Sequence, residues 1–373
     1  LSVAGANILL VSKGFFGDVV LITPVIAALK ESDSASKISV VCDPQAAGIL
    51  RRDALVDEVI PFDRDKEHAG IKGLRRFAAE LKARHFTVAY SFQRSARTAL
   101  VLYAAGIPER VGFADAAFSF LYTQRVGRRD VLHDVIRNFD LVAGGLSAQV
   151  AQRVSVLATD GLQQGDSFGR LRVAQSAHLE LSPVVQEIRG AGAPYVVLVP
   201  GSAWETKRWD AAKYREVASE LMQSHGVRVV VCGAPHERAV CAQVADGLDG
   251  ARNLCGETSL IDLIELIRGA SVVVCNDSVA LHIASATQTP VVVVFCSTSP
   301  RFGFGPWGTE ARVLEKDGLF CKPCSRHGRR RCPNGTNACM TGVESAQVVQ
   351  AVKHLHTHRK LNAGSSHLHV VHR

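Results

Sequence analysis

Short aliphatic and β-branched runs, each about one strand long, recur along this chain with helical patterns between them. That alternation leaves few folds open. In the first half, strand runs are expected at Asn7–Ser12, Lys37–Cys42, Glu58–Pro61, 87–91 and 110–112, with helices over 19–30, 70–84, 94–105 and 132–143. In the second half, strands are expected at Tyr195–Val199, 227–232, 271–275 and 290–295, with a helix over 211–224 capped by Asp210. The runs are continuously apolar rather than alternating, which marks strands covered on both faces and hence parallel sheets flanked by helices. The expected class is α/β, with two Rossmann-like, doubly wound domains facing a cleft. From 147 to 194 the pattern weakens, interrupted by Gly161, Gly165, Gly169, Gly190 and Gly192. Residues 1–165 therefore read as one domain, 166–194 as linker and 195–343 as a second domain. Residues 344–373 read as a last helix, reaching about residue 355, followed by a mobile His-rich tail.

Composition narrows the partners. At 373 residues there is room for two cores. The longest apolar run, 291–296, is far shorter than the ~18 residues of a membrane helix. The first residues lack a basic segment followed by a cleavage pattern, so no secretory leader is expected. Cys232, Cys275 and Cys296 lie in or at the ends of apolar runs and read as reduced core thiols, which favours the cytoplasm. The net charge of +8 calls for an anionic partner. The basic residues do not accompany a stacking-aromatic pattern, so nucleic acid is not expected.

Three loops follow strands, where parallel sheets bind ligands and helix N-termini favour anions. The turn Lys13-Gly14-Phe15-Phe16-Gly17-Asp18 puts a carboxylate near a helix start; Asp18 is either a helix cap or a general base. The loop Pro200-Gly201-Ser202-Ala203-Trp204-Glu205-Thr206-Lys207-Arg208 has neither P-loop nor dinucleotide spacing, yet its hydroxyls and cations suit a phosphate. At Asn276-Asp277-Ser278-Val279-Ala280-Leu281-His282, Asp277 and His282 are either cap and core or the frame of a pyrophosphate. A fourth loop, 295–308, rich in glycine and aromatic residues, is of the kind that lines a site.

Taken in order, these segments resemble glycosyltransferase family 9, the bacterial ADP-heptose:lipopolysaccharide heptosyltransferases, and within it the heptosyltransferase II branch. The resemblance runs from Asn7 to about Leu355 and is carried by several short motifs in order. They are Gly17-Asp18, Ala105-Gly106-Ile107-Pro108-Glu109-Arg110-Val111-Gly112, Pro200-Gly201-Ser202 with Lys207-Arg208-Trp209, Gly256-Glu257-Thr258, Asn276-Asp277-Ser278 with His282, and Ser297-Thr298-Ser299-Pro300. It implies a GT-B fold, an N-terminal acceptor domain, a C-terminal domain for ADP-L-glycero-D-manno-heptose and inverting transfer without a catalytic metal or other cofactor. It further implies Asp18 as general base and Lys207 as the cation that meets the departing ADP. Ser202, Ala203, Asp277, Ser278, Val279 and His282 would frame donor phosphates and sugar, with Glu237 and Thr258 near the nucleoside. Arg94, Arg97 and Arg110 are candidates for acceptor phosphates or Kdo carboxylates on the lipid A–Kdo inner core. The implied place of work is the cytoplasmic side of a Gram-negative inner membrane, in peripheral contact with its anionic surface. The chain departs from the family at Val279, where glycine is usual, and at Cys296-Ser297, where Gly-Pro or Gly-Ser is frequent. A relative with another donor or a protein acceptor, a nucleotide-sugar epimerase of the same architecture and a silent nucleotide-sugar binder remain alternatives.

One segment, 318–343, breaks the style of the rest. It spaces Cys321, Cys324, Cys332 and Cys339 as C-x₂-C-x₇-C-x₆-C among basic residues. That spacing suggests a structural zinc or iron knuckle; the alternative is a reduced loop whose arginines touch phosphate.

Overall fold

The computed structural model describes residues 5–162, 166–176 and 180–365. The chain divides into two compact units, Leu1–Ala174 and Gln175–Arg373.

Unit 1 is built on strands β1 (Asn7–Ser12), β2 (Lys37–Cys42), β3 (Glu58–Pro61), β4 (Val88–Ser91), β5 (Glu109–Phe113) and β6 (Gln124–Val126). Unit 2 is built on β7 (Tyr195–Val199), β8 (Arg228–Val231), β9 (Ala251–Asn253), β10 (Val272–Asn276), β11 (Val291–Phe295) and β12 (Ala311–Glu315). All pairings are parallel. The spatial orders are β3-β2-β1-β4-β5-β6 and β12-β11-β10-β7-β8-β9. Reversed, the second order follows the same rule as the first: each sheet starts in its middle, winds one way for three strands, then crosses over and winds the other way. This doubly wound order leaves a switch point between β1 and β4 in unit 1 and between β7 and β10 in unit 2. The central strands explain the sequence pattern, since Val196, Val197, Leu198, Val272, Val273, Val274 and all of β11 are fully buried.

The sequence expects a single helix over 19–30. The structure instead has Phe16–Leu21 and Thr23–Ser32, meeting at Ile22. Pro24 is the cause: it has no N–H to donate, and its ring would clash with the carbonyl of Val20 in a continuous helix. The Thr23 hydroxyl donates to that carbonyl at 2.7 Å instead. The weak stretch after 147 holds the helix Ala148–Asp160, which the sequence pattern did not reveal.

The units part inside the segment read as linker. Before the boundary, the Arg172 N–H donates to Thr23 Oγ1 and its guanidinium pairs with Asp53 at 2.8 Å. After it, the N–H groups of Ser176 and Ser182 donate to Glu265 and Asp262. Arg189, on the helix Pro183–Gly190, pairs with the fully buried Glu265 at 2.8 Å. A capping box forms at Ser259, with Asp262 accepting from the Ser259 N–H and Ser259 Oγ accepting from the Asp262 N–H. The last helix runs Ser345–Ser365. Thr341 closes the short helix Ala338–Thr341, and the Glu344 N–H donates to Gln347. The His-rich tail beyond 365 lies outside the described residues.

Candidate active site

Each unit carries a polar cluster at the carboxyl end of its own switch point. In unit 2 the cluster is organised by Asn276, the buried last residue of β10. Its Nδ2 donates to the carbonyls of Pro200 and Gly201, and its Oδ1 accepts from the Trp209 N–H at 3.0 Å. One amide thus pins both ends of the loop that follows β7. Trp209, 1 % exposed, anchors the far end, its indole N–H donating to the Val343 carbonyl. Asp210 caps the helix Ala211–His225 as expected, accepting from the Ala212 N–H.

With the loop fixed, Lys207 Nζ lies 2.7 Å from Asp277 Oδ2, and both side chains are largely buried. Thr298 Oγ1 donates to the same Asp277 oxygen at 2.7 Å. Ser202 Oγ donates to the Asp277 carbonyl, while Arg208 Nε donates to the Ser202 carbonyl. The helix Val279–Thr287 starts here, and neither the Ser278 hydroxyl nor His282 Nδ1, both buried, has a hydrogen-bond partner among the described residues. Burial pushes the His282 imidazole down to about 4; the Asp277 carboxylate opposes that shift and the Lys207 ammonium adds to it. His282 is therefore neutral at physiological pH. Val279 is partly buried and has no positive φ, so the backbone here does not require the glycine that is usual in the family. The other departure, Ser297, braces the loop after β7, its hydroxyl meeting Thr206 Oγ1 at 2.9 Å.

Ala203 is exposed at the tip of the loop. Glu237 is buried over Gly201, where an added Cβ would fall 2.1 Å from its carboxyl group. Its Oε2 accepts from the Ala234 N–H. Thr258 follows β9 on the turn begun by Gly256, whose N–H donates to the Gly233 carbonyl. Glu237 therefore sits at the carboxyl end of β8 beside the loop after β7, and Thr258 at the carboxyl end of β9.

Segment 318–343 forms a wall of this cluster. Thr206 exchanges hydrogen bonds with the Arg329 backbone, and the Cys324 N–H donates to the Ser297 carbonyl. Gly328, at φ +83°, lies on the aliphatic stem of Lys207, with an added Cβ only 3.0 Å from Lys207 Cγ. Cys321, Cys324, Cys332 and Cys339, where the sequence expects zinc or iron, lie near one another, the Cys339 thiol feeling the other three. Among the described residues, no three His, Cys, Asp or Glu side chains are placed to hold a metal ion. The Cys332 thiol is turned to Asn334 at 2.8 Å, and Cys339 is buried in the apolar core with its thiol pushed up to about 11.

In unit 1, Asp18 lies in the first turn of the helix Phe16–Leu21, and its Oδ2 accepts from the Phe15 N–H at 2.8 Å. Gly14 makes room for that carboxylate, since a Cβ there would fall 1.7 Å from Oδ2. The Phe15 ring is 63 % exposed beside it. Lys13, which the sequence reading did not single out, packs its ammonium 4.2 Å from the centre of the Phe62 ring. Burial, then the guanidiniums of Arg97 and Arg64, lower its pKa to about 8. Arg97 thus belongs to this cluster. Arg94 is engaged with Asp115 at 2.9 Å. Arg110 is corrected outright: its guanidinium is spent on the carbonyls of Leu121 and Ile107, toward the amino end of β5 and away from the ligand edge.

Two doubly wound units, each with charged loops at its switch point, make up the architecture of a GT-B fold. The profile of glycosyltransferase family 9 (heptosyltransferase) matches residues 74–333. The chain belongs to that family. It is 27% identical to lipopolysaccharide heptosyltransferase 2 of Escherichia coli K12 over 327 residues, covering 83% of this chain and 87% of that one. The glycosyl transferase family 9 structure from Veillonella parvula aligns with a TM-score of 0.79 at 20% identity, covering 96% of this chain and 99% of the other. The E. coli ADP-heptose heptosyltransferase II structure aligns at 0.71 and 22% identity, covering 95% and 99%.

Proposed function

We propose that this enzyme transfers heptose, with inversion, from ADP-L-glycero-D-manno-heptose to the lipid A–Kdo inner core of lipopolysaccharide. The observation that carries the reading is the Lys207–Asp277–Thr298 cluster at the switch point of unit 2, in a chain that aligns along most of its length with heptosyltransferase 2. In this reading the Asp18 carboxylate takes the proton of the acceptor hydroxyl, and the oxygen attacks the anomeric carbon from the face opposite the diphosphate. The bond from that carbon to the diphosphate oxygen breaks, leaving the electron pair on ADP, and Lys207 neutralises the charge that develops. A cation positioned in this way contributes about 3 kcal/mol to the transition state.

The Ser278 hydroxyl and the first N–H groups of the helix Val279–Thr287 receive the phosphates, with Ser202 and Ala203 on the facing loop. Asp277 works through Lys207 and the sugar hydroxyls. Placed ~4 Å from a phosphate, its carboxylate would repel it by about 4 kcal/mol at an effective dielectric of ~20. Glu237 and Thr258 border the nucleoside. Lys13 and Arg97 meet anionic groups of the acceptor, whose lipid portion keeps the enzyme at the cytoplasmic face of the inner membrane.

The test is ADP release from ADP-heptose with lipid A–Kdo₂ carrying no heptose or one. Release that depends on one of these acceptors supports the reading. Donor binding without release on either acceptor, or faster transfer from another sugar nucleotide, defeats it.

A further inference from the structure

The helix Ala96–Ala104 buries Thr98, Ala99, Val101 and Leu102 and turns Arg97, Leu100 and Tyr103 outward at three-residue spacing. An outward helical face ordinarily carries polar side chains; here Leu100 is 44 % and Tyr103 57 % exposed. The turn Ser119–Leu121 contacts this helix and adds two more exposed rings, Phe118 at 45 % and Phe120 at 71 %, with centroids 5.6 Å apart. Phe118 sits at φ +60°, a left-handed conformation that glycine or asparagine would adopt more readily. A large apolar ring is thus held out to solvent at a backbone position that disfavours it. Arg110 lies 5.6 Å from the centre of the Tyr103 ring, and Arg97 is exposed in line with Leu100 and Tyr103.

We propose that this face (Leu100, Tyr103, Phe118 and Phe120, with Arg97 and Arg110 beside them) docks unit 1 on an anionic phospholipid bilayer. Aromatic and aliphatic side chains flanked by cations suit the interface, where rings enter the boundary of the acyl chains and arginines meet lipid phosphates. A second protein copy fits less well. Four half-exposed side chains offer roughly 400 Å², about half of the ~800 Å² per partner in a stable interface. The position also suits the chemistry. Arg97, on the same helical face, lies close enough to Lys13 to lower its pKa, and from Arg97 to Tyr103 the helix climbs about 9 Å. A lipid-linked acceptor would keep its chains in the bilayer while its sugars reach the Asp18 cluster. The inference rests on the acceptor being lipid-linked.

The test is flotation of the full chain with vesicles of phosphatidylcholine alone or with about a third phosphatidylglycerol, with no acceptor present. The wild type should float with the anionic vesicles at least fivefold more than with the neutral ones, and less at high salt. The double variant Phe118→Gly/Phe120→Ser should lose most of that binding while keeping wild-type transfer to a deacylated, soluble acceptor. A second double variant, Leu100→Ser/Tyr103→Ser, with unchanged circular dichroism, should behave likewise. Wild type that ignores anionic vesicles, or variants that float like wild type, would overturn the proposal. So would a mass in light scattering that falls from dimer to monomer in the variants without vesicle binding. Vesicle binding without transfer on any acceptor would instead count against the proposed reaction.

Discussion

Lys207 is held at both ends, its ammonium by Asp277 and its stem by Gly328. Lys207→Met should lower kcat about 100-fold with a smaller effect on donor affinity. It should also destabilise unit 2 by about 3 kcal/mol, because Asp277 is left buried without its cation; single-turnover kinetics and urea melts read the two effects separately. His282 adds a pH dependence. Its folded pKa, about 4, lies below the ordinary 6.5, so the unfolded chain binds the proton more readily between these values. Stability is therefore full above about pH 6.5 and falls as the pH drops toward 4, by an amount on the order of 3 kcal/mol. His282→Gln should flatten that acid limb in melts from pH 7.5 to 4. The motif at 276–282 was legible because strand end, acid, hydroxyl and imidazole fall within seven residues. Three other features were not. Lys13 gave only the signal of a lysine just after a buried strand, Thr298 reaches Asp277 from the end of another strand, and the carbonyls that engage Arg110 come from residues on both sides of β5.

Local elements place these groups through glycines that permit close approach. Gly14→Ala would put a methyl group against the Asp18 carboxylate. It should therefore cut transfer severely while leaving ADP affinity, which the proposed reaction assigns to unit 2, unchanged by calorimetry. On the outer face, Phe118→Gly alone should stabilise unit 1 by about 1 kcal/mol in thermal melts, since it removes a left-handed non-glycine residue. The sequence pattern located the buried central strands because both of their faces are apolar. It missed β6, β9 and β12, of which β6 and β9 are three residues long and all three carry arginine. The break at Ile22 was legible in principle, as Pro24 falls too deep in a helix starting at Phe16 to be tolerated. The Cys-rich segment was legible as a spacing of thiols, but not as the brace of Thr206 and Lys207 that its contacts make it.

Both units repeat one topology, three strands on each side of a switch point. No sequence repeat announces it, because the shared property is strand order and not residue identity. The repetition gives each unit one switch point, with Asp18 after β1 in unit 1 and Lys207 after β7 in unit 2. In the proposed reaction these two residues divide the work, base on one unit and leaving-group cation on the other. Transfer and ADP binding measured side by side for Asp18→Asn separate the two roles. ADP affinity should equal wild type, with transfer reduced by roughly 10²–10⁴. An Asp18→Asn enzyme that transfers heptose at the wild-type rate would contradict that division.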